Sequence, residues 1–213
     1  RLQRLLEAAL AISGESARAS VLAALAPHLP DRTLEAALAI SREYDRAWVL
    51  AALAPHLPDP TLEAALAISR EYDRARVLAA LAPHLPDPTL EAALAIGDES
   101  DRARVLVALA PHLPLDQQAR VLQQALEAAL AISGESARAR VLVVLAPNLP
   151  IQDLQPQIHQ ALVGAMRQAQ YSQRSSVLNL CAAEALFNPE VLPLEVLEAT
   201  LAHVTEIAEW EWL

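Results

Sequence analysis

Apolar and polar positions along this chain recur in blocks. Residues 34–61 read LEAALAISREYDRAWVLAALAPHLPDPT and residues 62–89 read LEAALAISREYDRARVLAALAPHLPDPT, so Trp48 against Arg76 is the one difference. The string LEAALAI begins at Leu6, Leu34, Leu62, Leu90 and Leu126; the first four starts are 28 residues apart and the last interval is 36. Within a block, Ala75, Leu78, Leu81 and Ala82 follow the i, i+3, i+4, i+7 spacing of a buried helical stripe. Each unit therefore reads as two short antiparallel helices. Helix A is TLEAALAI, with Asp59 as N-cap, Pro60 in the first turn and a Leu62/Leu66 stripe facing inward. Helix B is REYDRARVLAALA, capped by Ser69 or its equivalents Ser13, Ser41 and Ser133, and ended by Pro83 and Pro86 of PHLP.

A hairpin this small cannot bury its own apolar face and needs neighbours on both sides. The expected fold is all-α: an α-solenoid of stacked antiparallel helical hairpins forming a right-handed superhelix. Five tandem units occupy 1–153, and the extra residues QARVLQQA at 118–125 lengthen one helix by about two turns. Residues 154–213 read as a degenerate repeat plus capping helices of the same solenoid, richer in Gln, with Cys181 as a small core residue and Trp210 and Trp212 on different faces.

The ALAISxExxRAxVLAALAPHLP pattern resembles the short Ala/Leu-rich helical repeats found in tandem in large multidomain bacterial proteins, a TPR/HEAT-like type of solenoid. Repeats of that kind accompany STAND-type NTPase modules, WD40 arrays or caspase-like domains. The resemblance implies a recognition or scaffold segment of a larger bacterial protein, binding a protein or peptide partner. A unit of 28 residues is shorter than the ~34 or ~40 of TPR and HEAT repeats. No GxxxxGK[ST] loop occurs, so an NTPase would lie outside this chain.

Composition narrows the function further. Hydrophobic residues make up 54% and aromatics 3%, so the apolar content is mostly the helix formers Ala and Leu. The net charge is −10 and all 16 basic residues are Arg, which removes Schiff-base lysine chemistry and gives no basic footprint for nucleic acid. No apolar run of about 18 residues suggests a membrane span, and no signal peptide is in view, so a cytoplasmic setting is expected. No catalytic constellation, cofactor motif or metal set stands out. His28, His56, His84 and His112 form a ladder in the PHLP turns, but helices stacked about 8–10 Å apart do not bring them to one ion.

Positions that vary between copies point to solvent. Trp48 is the leading contact candidate, with Tyr44, Tyr72 and Arg76 beside it. On helix A, Glu35, Glu63 and Glu91 form a carboxylate row suited to a basic segment if helix A lines the concave side. The i, i+3 pairs Glu43/Arg46, Glu71/Arg74 and Glu99/Arg102 are expected to stitch adjacent units together. The leading expectation is a non-catalytic interaction or scaffold module. Self-association through the ends of the solenoid is the alternative, and a designed consensus array is a third reading.

Overall fold

The computed structural model describes residues 1–145. Among them the chain is helical throughout, as an all-α repeat stack. The A helices are α1 (Leu2–Leu10), α3 (Pro30–Leu38), α5 (Pro58–Leu66) and α7 (Pro86–Leu94); the B helices are α2 (Glu15–Leu25), α4 (Glu43–Leu53), α6 (Glu71–Leu81) and α8 (Glu99–Leu109). A 3₁₀ turn, η1 (Ala110–His112), leads to α9 (Leu115–Ala131) and α10 (Glu135–Leu145). Two compact units divide the chain, Arg1–Val121 and Leu122–Leu213. The segment 154–213, with Cys181, Trp210 and Trp212, lies outside the described residues.

In the first unit the B helices form the closer-packed layer, α2 against α4, α4 against α6 and α6 against α8. The A helices pack chiefly on the B helices before and after them, as α3 does on α2 and α4. The B helices α4 and α6 present Ala, Val and Leu on their covered faces: Ala47, Val49, Leu50 and Leu53 on α4, and Ala75, Val77, Leu78 and Leu81 on α6, are all fully buried. Ala47 and Ala75 let neighbouring B helices approach closely, while each buried Leu supplies about 1.5–3 kcal/mol of apolar transfer energy. In the second unit, Leu126, Ala129 and Ile132 are buried, as are Leu142 and Leu145 of α10.

Helix A is turned differently from the expected Leu62/Leu66 stripe. Thr61 and Ala65 are fully buried, and Leu66 is 54% exposed. Ala65 has to be small because a nine-residue A helix lies directly on the B layer. Leu10, Leu38, Leu66 and Leu94 form the outward row instead.

Helix starts also differ from the sequence reading. α5 and α7 begin at Pro58 and Pro86 after N-caps Leu57 and Leu85, so the second proline of PHLP opens a helix and Asp59 lies in its first turn. The locked φ of proline suits that first position, where its missing N–H costs nothing. The serines are not caps: the N-cap positions of α2, α4 and α6 are Gly14, Arg42 and Arg70, none with a local side-chain bond. Asp98 alone of this set caps its own helix, accepting from the Asp101 amide at 2.8 Å. The entries of α4, α6 and α8 draw acceptors from the preceding repeat, through Glu15, Glu43 and Glu71. α9 has 17 residues against 9 in α7, so the additional residues at 118–125 continue a helix.

Candidate interaction surface

Two polar assemblies are built on the B helices. The first joins repeats. Arg46 donates to the Ile40 carbonyl at 3.0 Å and to Glu43 Oε1 at 3.4 Å, and Glu43 accepts from the backbone amides of Ser69 and Arg70, both at 2.9 Å. The same relay runs from Ile12 through Arg18 and Glu15 to Ser41 and Arg42. It runs again from Ile68 through Arg74 and Glu71 to Gly97 and Asp98. Each carboxylate thus serves the entry of the next B helix, including its first unsatisfied N–H. These amide bonds hold Glu15, Glu43 and Glu71 below the ordinary glutamate range.

The relay stops at Glu99, and here the expected Glu99/Arg102 pair does not form. Arg102 donates to the carbonyls of Ile96 at 2.8 Å and Gly97 at 3.5 Å, and Glu99 has no ion pair among the described residues. The 36-residue interval that follows places the equivalents of Ser69 and Arg70 eight residues further along the chain, at Ser133 and Gly134.

The second assembly is an exposed aromatic–cation cluster. Trp48 is 49% exposed, Tyr44 45% and Tyr72 47%, all on the outer surface of α4 and α6. The Arg76 guanidinium carbon lies 4.8 Å from the Tyr44 ring centre, 5.5 Å from Trp48 and 5.7 Å from Tyr72. Arg104 stands 4.7 Å over the other side of the row, on Tyr72. All four distances fall within the range where a cation is attracted to a ring face. Arg76 therefore does not project freely outward, as the sequence suggested; it is half-buried and fixes the three rings. Its bond and charge, with those of Arg104, hold the Tyr72 phenol below its ordinary value.

Beneath the cluster runs a row that the sequence reading missed: Asp45, Asp73 and Asp101 are buried. Asp45 Oδ2 accepts from Ser16 Oγ at 3.2 Å and pairs with Arg42 Nε at 3.2 Å. Asp73 has only an ion pair with Arg70 at 3.5 Å, without hydrogen-bond geometry, although it is fully covered. Asp101 pairs with Arg104 at 2.9 Å, and burial nevertheless pushes its carboxyl above the ordinary aspartate value. Each Asp lies one turn before a buried Val (Asp73 before Val77), so extending the buried stripe back by four residues would have found the row.

Glu35, Glu63 and Glu91 are exposed on the more widely spaced A layer, with Glu35 paired to Arg32 at 3.5 Å. They do not line the close-packed side. His28, His56, His84 and His112 are exposed, and no group of three or more His, Cys, Asp or Glu among the described residues is placed to hold a metal ion. No described helix is long and apolar enough to cross a membrane.

Comparison with protein-family models, with curated proteins and with solved structures found no match to this chain.

Proposed function

We propose that this chain is a non-catalytic protein-interaction module whose binding surface is the outer face of α4 and α6. The reading rests on one observation: Tyr44, Trp48 and Tyr72 are about half exposed yet held in place by Arg76. Immobilised aromatic side chains lose little freedom when a partner covers them, and Trp, Tyr and Arg are the residues that dominate interface energies. Nothing in the core requires these rings. The equivalent positions in α2 are Ser16 and Ser20, and α2 packs against α4 without them.

The partner is a protein or peptide. On the resemblance of the repeat pattern, the chain serves as the recognition or scaffold segment of a larger cytoplasmic bacterial protein. The test is Trp48→Ala in affinity capture from the source cells, with the captured protein identified by mass spectrometry. The expected result is that capture drops by about tenfold or more while helicity and melting stay unchanged. Equal capture by the two proteins would refute the assignment of this face.

A further inference from the structure

Each B helix of the first unit has a leading face, the side turned to the B helix before it. Ser16 of α2 donates to Asp45 of α4 at 3.2 Å, which puts Asp45 on that face, and Val49 follows one turn later. Val49, Val77 and Val105, on α4, α6 and α8, are fully buried. On α2 the equivalent Val21 is 36% exposed, and Ala17 and Ala24 of the same stripe are exposed with it. On α1, Leu5 is 51% exposed where its equivalents Thr33, Thr61 and Thr89 are fully buried, and Leu2 is 39% exposed beside it. Where α3 packs on the B helices on both sides of it, α1 packs on α2.

The residue types make this face more than a bare edge. A repeat that closes a stack ordinarily turns a polar face outward. Here the register sets Leu5 where the next three units have Thr, and Ala17 where they have Asp45, Asp73 and Asp101. The open face is therefore more apolar than its covered counterparts.

We infer that the leading face of α1 and α2 is a self-association surface, which pairs with the same face of a second copy of this chain about a two-fold axis. In the following repeats this face is covered by a B helix of the same pattern, as α2 covers α4 and α4 covers α6. Of the four B helices in the first unit, α2 alone has the face open, so α2 is the helix a second copy has free to offer. Ala17, Val21 and Ala24, spaced i, i+4, i+7, are small enough for two such helices to approach closely, and Leu2 and Leu5 flank them. One patch meeting itself is the isologous contact of a closed dimer. Charge permits it: the chain carries −10, but residues 1–28 hold three arginines against two glutamates, and the face itself is uncharged.

The full chain is examined by sedimentation equilibrium over a range of concentrations, with the Val21 and Leu5 methyl groups followed by NMR. The expected result is a monomer–dimer equilibrium complete by about 200 μM, with those methyl signals shifting as the dimer forms and Val77 unmoved. The test variant is Leu5→Thr with Ala17→Asp, which should weaken the dimer by about tenfold or more. The stack already folds with Thr and Asp at the equivalent positions, and an acidic residue in the first turn of α2 suits the helix dipole. Trp48→Ala should leave the dimer unchanged, so this surface and the proposed partner face stand or fall separately.

A monomer throughout that range, or a dimer indifferent to the double variant, overturns the inference. So does a ladder of larger species, which would mean end-to-end stacking. Ser13 and Gly14 are the equivalents of Ser41 and Arg42, whose amides Glu15 holds. Exchange protection appearing at those two amides on association would mean a relay-bearing helix docked in parallel, and would also overturn the two-fold pairing.

Discussion

Replacing Glu43 with alanine removes one relay and leaves the hydrophobic layers untouched. The carboxylate accepts two amide bonds at 2.9 Å from Ser69 and Arg70 and takes a longer contact from Arg46 at 3.4 Å. A shielded hydrogen bond to a charged group contributes about 1.5–3 kcal/mol. Ser69 and Arg70 are exposed, however, so their amides regain water once the carboxylate is gone. The expected loss is therefore that of a good helix cap, about 1–2 kcal/mol. Glu43→Gln keeps an acceptor and loses the charge, and should fall between wild type and alanine. Urea unfolding followed by circular dichroism gives the stability difference, and amide hydrogen exchange locates it. Protection should drop first at Arg70, with Leu78 in the middle of α6 following only the global change. A loss below about 0.3 kcal/mol, or unchanged exchange at Arg70, would refute the view that these carboxylates hold successive repeats together.

Acid should weaken the stack with a definite sign. Glu15, Glu43 and Glu71 titrate below their ordinary value of 4.5 when folded, so their stabilisation is complete above that pH and is lost as the pH falls through the folded values. Asp101 acts in the opposite sense, since burial raises its value and protonation relieves a cost, but it is one group against three. The urea midpoint should stay level from about pH 7 to 5 and then decline, less steeply in Glu43→Gln; a midpoint that climbs on acidification would reverse the argument. On helix A, Leu66→Ser should cost no more than about 0.5 kcal/mol, whereas Ala65→Leu should cost about 1–3 kcal/mol by overpacking. Thermal melts of the two variants would expose an error in the assigned face if their order were inverted.

The repeat, the two helices per unit and the lengthened α9 were all legible because period and proline spacing are local properties of the chain. Helix A was misread for a physical reason. In LEAALAI every residue but Glu is apolar, so hydrophobic periodicity cannot choose a face; the choice falls to size, and the tight approach to the B layer selects Ala65 over Leu66. Ser69 looked like a cap because the true acceptor, Glu43, is 26 residues away and reaches it only once repeats stack. Trp48, Tyr44 and Tyr72 could be seen as one patch from their variation and spacing. That Arg76 would lie among them was hidden, because an arginine at a variable position ordinarily reads as a solvated side chain. Asp73 was overlooked on the same habit, as one charge within EYDR, although its place one turn from Val77 marked it as covered.

The relay has a bearing on how such a chain can change its length. Glu43 holds Ser69 and Arg70 through their main-chain amides, and Arg46 holds Ile40 through its carbonyl, so neither end of the link depends on the side chain it meets. Gly97 and Asp98 occupy the same place as Ser69 and Arg70 and are joined in the same way. The copies joined in this way can therefore follow one another, and a 28-residue block duplicated or deleted between 34 and 89 rejoins without a mismatched seam. Recombination between the near-identical segments 34–61 and 62–89 would yield longer or shorter arrays with the relay kept at each new junction.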